Sequence, residues 1–240
     1  MSNIRLFVGA GLKVGDNVTL CEEQSHYLTS VMRIKNGQKI KVFNGKDGEF
    51  VAEIKNVSKK SVEVEILEKT RAFEASKDIW LLFAPLKKDC TDFVIEKSTE
   101  LGVAKIIPVI TRNTISDKTK TERFKTQATE AAEQCRRLDV PEISDAIKLP
   151  DLLKNWDTKR KLYFMDESGQ GETVSEVFKS APTPAAILVG PEGGFTNEEL
   201  DYLRGLSYTK GVSLGKLILR AETAVVAALS CWQSLSGEWR

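Results

Sequence analysis

The 240-residue chain carries a formal net charge of +1, with 41% hydrophobic and 29% charged residues, values that exclude disorder and fibrous structure and neither demand nor forbid a nucleic-acid partner. Its longest apolar runs, such as IWLLFAPL at residues 79–86, fall far short of the roughly 20 residues of a membrane helix, and Cys21, Cys90, Cys135 and Cys231 lack the paired spacing of a zinc site or a disulfide framework. The first residues, MSNIRLFVGAG, hold one charge and a short apolar run with no small-residue cleavage site, so the expectation is a reduced, cytoplasmic setting without a secretory signal.

From Ile4 to about Arg71 the chain alternates apolar and polar residues in short segments, QKIKVFNG, EFVAEIKNV and SVEVEILEK, with Asn44-Gly45 and Asp47-Gly48 as turn chemistry between the first two. This predicts a small β-rich domain over residues 1–72. After Phe73 the texture changes: DIWLLFAPL reads as a buried strand, a helix follows from about Asp89 to Leu101, and KIIPVIT reads as the next strand. Strands alternating with helices predict an α/β domain with a largely parallel sheet over residues 73–240. Phe124, Ala128, Ala131, Cys135 and Leu138 recur at four- and three-residue steps and define one face of a longer helix. KLYFMDE, AAILVGPEGG and GVSLG supply three further strands, and an apolar helix runs from about Glu222 to Leu235. The short linker TRAFEAS separates the two textures. Residues 1–72 hold 12 Lys and Arg against 9 Asp and Glu, a balance of +3, and the remainder 23 against 25, or −2; local patches rather than totals make an electrostatic footprint.

Two segments stand out chemically. Gly190, Gly193 and Gly194 follow an apolar strand and precede a helix, the place where open α/β sheets bind ligands. Glycine admits positive φ and lets backbone N–H groups approach a ligand closely. Gly194 is followed by Phe195 and Thr196 rather than by Lys and Ser/Thr, and the G-x-G-x-x-G pattern is missing, so a phosphate cradle is disfavoured. Thr196 and Glu199 form a capping box, so a turn that merely serves a helix start is the competing reading. In the second segment, VSLGKLILRAETAVVAAL, the apolar stretch KLIL has no helical or strand partner nearby in sequence and could line an apolar pocket whose backbone reads the edge of an aromatic ring. Arg220 and Glu222 bring charge to the start of the last helix; structurally, Glu222 is a favourable first-turn acid and Arg220 its surface partner.

Together, LVGPEGGFTNEEL and SLGKLILRAETA closely resemble the RsmE family of ribosomal RNA methyltransferases, members of the SPOUT superfamily. RLFV, HYLTSVMRIKNGQKIKVFNGKDGEF, LKKDCTDFVIEKSTELGVAKIIPVIT and ERFKTQATEAAEQCRR agree with that family, so the similarity spans nearly the whole chain. The resemblance implies a C-terminal SPOUT domain with a trefoil-knotted parallel sheet holding S-adenosylmethionine, an N-terminal PUA-like β-barrel that helps bind RNA, and a homodimer. It implies methylation of N3 of one uridine in 16S ribosomal RNA, on the small ribosomal subunit or its precursor. A SPOUT enzyme for another ribosomal or transfer RNA base, and a non-catalytic RNA-binding assembly factor, are the alternatives. Carried over by motif, Leu188, Gly190, Pro191, Glu192, Gly193 and Gly194 form one cofactor loop, and Leu214, Gly215, Leu217, Ile218 and Leu219 another, with Met165 and Glu167 beside them.

Methyl transfer requires the nucleophile in line with the methyl carbon, and uridine N3 must lose a proton to a carboxylate or water while a cation stabilises the uracil anion. Arg220 is the candidate for that cation, with Glu222 and Thr223 as further catalytic candidates. His26, the one histidine, lies in the β-rich part, where a structural or RNA-contacting role is expected rather than general base. Arg136 and Arg137 end a helix, where they either favour its dipole or face RNA or a dimer partner. Arg5, Arg33, Lys35, Lys87, Lys88 and Arg112 lie near strand ends and turns as candidate phosphate contacts.

Overall fold

A computed structural model of the chain describes residues 4–58, 61–115 and 119–239. The chain divides into two compact units, Met1–Ala75 with Ala132–Val140, and Ser76–Ala131 with Pro141–Arg240.

The first unit contains β1 (Arg5–Phe7), β2 (Asn17–Thr19), α1 (Glu22–His26) continuing into a wider helical turn at Tyr27–Val31, β3 (Lys39–Phe43), β4 (Glu49–Val57) and β5 (Val62–Arg71). They form a five-stranded sheet in the order β1-β3-β4-β5-β2, antiparallel except for the β1–β3 pair. Alternation decides which face is buried: Val62, Val64 and Ile66 point into the core with Leu28, Ile40, Val42 and Ile54, while Glu63 and Glu65 lie between them in sequence. Register shifts between β4 and β5 at Val51/Ala52 and Ile54/Asn56 curl the sheet into a half-closed barrel. The β3–β4 turn is held by the Asn44 side chain, whose Oδ1 accepts from the Lys46 and Asp47 N–H groups at 3.0 and 2.8 Å.

Arg5 belongs to this unit's interior. Its guanidinium lies 3.6 Å from the centroid of the Phe43 ring, its Nε donates to Glu49 at 2.7 Å, and its Nη atoms donate to the carbonyls of Ala132 and Arg137 at 2.8 and 2.5 Å. With 8% of its surface exposed, Arg5 has no donor turned towards a phosphate, and the expectation that it contacts RNA is corrected: it ties β1 to the chain that follows the long helix. The Glu49 carboxylate also accepts from Lys41 and Thr70, and together these partners bring its pKa down to about 2 against the opposing effect of burial.

The second unit runs β6 (Ile79–Phe83), α2 (Lys88–Glu100), β7 (Lys105–Ile110), α3 (Thr121–Cys135, its last turn counted with the first unit), β8 (Glu142–Ile143), β9 (Ile147–Lys148), α4 (Leu149–Lys154), β10 (Lys161–Met165), β11 (Glu172–Thr173), α5 (Val174–Phe178), β12 (Ala185–Val189), α6 (Asn197–Gly205), β13 (Thr209–Ser213) and α7 (Ala221–Leu235). The sheet order is β11-β13-β10-β12-β6-β7-β8, every neighbouring pair parallel, with β9 also paired to β7. β12 is buried along its whole length, as a strand covered on both faces must be. Arg160 secures the opposite end of the sheet: it bonds both Asp78 carboxylate oxygens at 2.9 and 2.6 Å and the Ala185 carbonyl at 3.1 Å, and stacks on Trp80.

Two registers position the functional end. Met165 of β10 pairs with Val212 of β13, and Phe164 pairs with Leu188 of β12, so the C-terminal ends of these three strands finish side by side. Residues 214–220 separate β13 from α7, which returns to pack on α2, α5 and β12.

Candidate functional site

A cavity of about 340 Å³ opens at those three strand ends, within the range of small-molecule sites. Its wall is built from three segments: Met165 at the end of β10 with Asp166 and Glu167; Val189 at the end of β12 with Gly190, Pro191, Glu192 and Phe195; and Val212 of β13 with residues 214–220, closed by Ala221 and Ala224 of α7.

The segment after β12 is a tight turn in which the Gly194 N–H donates to the Pro191 carbonyl at 2.9 Å. Gly194 has φ +68, and a Cβ there would overlap Oε1 of Glu167; a Cβ on Gly190 would come within 2.9 Å of the Phe195 ring. Asn113 donates its side-chain amide to the carbonyls of Gly193 and Gly194 at 3.1 and 3.0 Å, which fixes the turn from outside. Thr196 then caps α6: its hydroxyl accepts from the Glu199 N–H at 3.3 Å, and the Glu199 carboxylate accepts from the Thr196 N–H at 3.0 Å and the Arg112 N–H at 2.9 Å. The helix-start reading of this segment therefore holds, and the same cap anchors the turn that walls the cavity.

After β10, Asp166 is buried, accepts from Arg204 of α6 at 2.8 Å and from the Ser168 hydroxyl at 2.6 Å, and its pKa is lowered by these partners. Loss of surrounding water, then the Asp166 charge, push the Glu167 carboxyl up from its ordinary value, while a bond from the Phe195 N–H pulls it down. In the third segment Gly215 has φ +116, and Leu217 and Ile218 are 81% and 85% exposed, a large apolar surface that none of the described residues covers. Arg220 is the N-terminal flanking residue of α7, makes no side-chain capping bond and is exposed. Among the described residues no group of His, Cys, Asp and Glu side chains could hold a metal ion, and no helix is long and apolar enough to cross a membrane.

A family model described as an RNA methyltransferase domain matches residues 73–233, and one described as an RNA methyltransferase PUA domain matches residues 20–67. Ribosomal RNA small subunit methyltransferase E of Rickettsia conorii is 35% identical over 228 residues, covering 94% of this chain and 93% of that protein. The chain belongs to the ribosomal RNA small subunit methyltransferase E family. The family's member from Neisseria gonorrhoeae, solved bound to S-adenosyl methionine, superposes with a TM-score of 0.89 at 30% identity over 99% of both chains. A protein from Legionella pneumophila, solved in complex with the bound cofactor SAM, gives 0.84 at 29% identity over 98% of both. The parallel α/β unit and the curled N-terminal sheet agree with the architecture the motifs imply.

In this family member the structure brings Met165, Glu167, Gly190, Pro191, Glu192, Leu214, Gly215, Leu217, Ile218, Leu219 and Arg220 to one cavity. Leu188 instead points into the core, packed with Leu82, Leu162 and Phe164, because alternation along β12 gives the cavity to Val189. Gly193 and Gly194 shape the turn from behind, and Glu222 and Thr223 follow in the first turn of α7, where the Glu222, Glu192 and Arg220 charges all act on the Cys90 thiol. Asp166, Phe195, Val212, Lys216, Ala221 and Ala224 are cavity residues that sequence reasoning missed; Asp166 alone carried a signal, as the acid between Met165 and Glu167. Of the basic candidates, Arg33, Lys35, Lys87, Lys88, Arg112 and Arg136 are exposed, Arg33 and Arg136 with φ of 50 and 66, whereas the Arg137 side chain is 8% exposed and paired with Asp139 at 2.9 Å.

Proposed function

We propose that the chain transfers a methyl group from S-adenosylmethionine to N3 of one uridine in 16S ribosomal RNA, on the small subunit or its precursor. The observation that carries the reading is the meeting of residues 190–192 and 214–219 in one cavity at parallel strand ends, in a chain of an RNA methyltransferase family. The cavity suits the cofactor: Gly190 and Gly194 leave out Cβ atoms that would crowd Phe195 and Glu167, and residues 214–219 offer backbone groups and apolar side chains to a flat ring. We assign cofactor binding to Met165, Glu167, Gly190, Pro191, Glu192, Leu214, Gly215, Leu217, Ile218 and Leu219, with Gly193 and Gly194 holding the turn.

S-adenosylmethionine supplies an electrophilic methyl on a sulfonium. The protein's share is to orient the uracil and manage the N3 proton. Arg220, exposed at the cavity edge, stabilises negative charge on the uracil; Glu222, in the first turn of α7, takes the proton directly or through water; Thr223 orients the base. Arg33, Lys35, Lys87, Lys88, Arg112 and Arg136 are assigned to phosphate contacts, which position RNA without reading its sequence. The domains we assign are residues 1–72, a PUA-like RNA-binding barrel, and residues 73–240, the SPOUT domain, whose trefoil knot would involve the loops 190–194 and 214–219. A homodimer acting in the cytoplasm completes the reading; the exposed Leu217 and Ile218 suit a surface that a bound molecule or second protomer covers.

The test is methyl transfer in vitro: purified protein, radiolabelled S-adenosylmethionine and small subunits from cells lacking the protein, followed by nucleotide mapping. Label on N3 of a single 16S uridine supports the proposal; label on another base or RNA replaces it with a different target, and no label with a bound cofactor supports an assembly factor instead.

A further inference from the structure

The cavity's charges are unevenly neutralised. Asp166 is matched by Arg204 at 2.8 Å and further bonded by Ser168. The cavity cations, Lys216 and Arg220, both come from the segment after β13. Glu167, on the segment after β10, has no ion pair with any described residue, whereas Asp166 beside it has Arg204. Its carboxylate fills the space where Gly194, at φ +68, lacks a Cβ. The turn thus gives up a side chain to seat an exposed acid in the cavity wall, beside a second acid. An unpaired carboxylate so placed attracts a cationic ligand that enters the cavity.

We infer that Glu167 is a specificity residue that selects the positively charged methyl donor over its neutral demethylated product. The inference rests on the cofactor assignment above and adds a role for charge. In the transfer, the sulfur–methyl bond breaks as the N3–methyl bond forms, the sulfonium becomes a neutral thioether, and the N3 proton leaves to its acceptor. The Glu167 carboxylate attracts the ligand before that change and not after it. It therefore favours loading of S-adenosylmethionine and release of S-adenosylhomocysteine, and gives no help to the chemical step, since attraction to a charge that fades in the transition state does not lower the barrier.

The test is calorimetric titration of wild type and Glu167→Gln with S-adenosylmethionine and, separately, with S-adenosylhomocysteine. Loss of one Coulombic contact across a partly hydrated site is worth on the order of tenfold in affinity. The expected result is a preference for the charged ligand that falls about tenfold in Glu167→Gln, with S-adenosylhomocysteine affinity unchanged within about twofold. In steady state, KM for the donor rises by a similar factor while kcat does not fall. Equal weakening of both ligands makes Glu167 a shape-forming residue and overturns the inference, as does an unchanged preference in Glu167→Gln alongside a loss in Glu192→Gln. Failure of the wild type to bind S-adenosylmethionine at all overturns the proposed function itself, an outcome distinct from binding with an unaltered preference.

Discussion

Gly194→Ala isolates the one position where backbone conformation, cavity shape and charge meet. The native φ of +68 is one that a Cβ disfavours, at roughly 1–2 kcal/mol for an L-residue held there. For a chain of this size each kcal/mol lowers Tm by about 2–4 °C, so the backbone effect alone amounts to roughly 2–8 °C. The new methyl also overlaps Glu167 Oε1; that carboxylate ends a flexible side chain, so it swings away rather than breaking the fold. The variant is therefore expected to be folded, modestly less stable, and as poor as Glu167→Gln at preferring S-adenosylmethionine over S-adenosylhomocysteine. Differential scanning calorimetry reads the first effect and titration calorimetry the second. Gly205→Ala is the control: nothing lies within 4 Å of its Cβ and its φ is not positive, so it leaves Tm unchanged or slightly raised. A Gly194→Ala protein with wild-type Tm and wild-type ligand preference would refute the reasoning.

Arg5→Ala removes the bonds to Glu49, Ala132 and Arg137 and leaves a buried acid short of its main partner; about 3–5 kcal/mol of stability is lost, measured by urea unfolding, and a loss under 1 kcal/mol contradicts the interior role. Glu49 itself gives a pH signature: its folded pKa of about 2 lies below the ordinary 4.5, so its contribution, about 3 kcal/mol in scale, is complete above pH 4.5 and disappears as pH falls from 4.5 towards 2. Burial pulls the Arg5 guanidinium down, which offsets part of that gain without titrating in the same window. Glu49→Gln should flatten the stability profile there, and an unaltered profile defeats the assignment. Arg220→Ala should lower kcat by about 10²–10³ and leave the Kd for S-adenosylmethionine nearly constant; a defect mainly in cofactor binding contradicts its role at the uracil.

The major strands were legible because their patterns are local. Val62, Val64 and Ile66 alternate with acids, and AAILV at residues 185–189 is apolar throughout, so each declares its own burial. α2 and α7 fall within a residue or two of their sequence readings, whereas α3 ends at Cys135, short of the Leu138 that its apolar face was read to include. The two-residue strands β8, β9 and β11 and the short helices α1, α4 and α5 were not legible, since such segments exist only through partners elsewhere. Arg5 shows the same limit in one side chain: its partner carbonyl at Ala132 is 127 residues away, and no local pattern distinguishes a buried arginine from a phosphate contact. Within the site, the glycines and the KLIL stretch pointed to a ligand, but Phe195 and Val212 enter the wall only because three strands end together. Leu188 and Val189 were indistinguishable in sequence; strand alternation assigned one to the core and the other to the cavity.

The central claim is tested most directly by mapping modified nucleotides in 16S ribosomal RNA from cells with and without this protein. The account predicts one uridine that loses its N3 methyl group in the deletion strain and regains it with the wild-type chain but not with Arg220→Ala. Full N3 methylation of every such uridine in the deletion strain would contradict it.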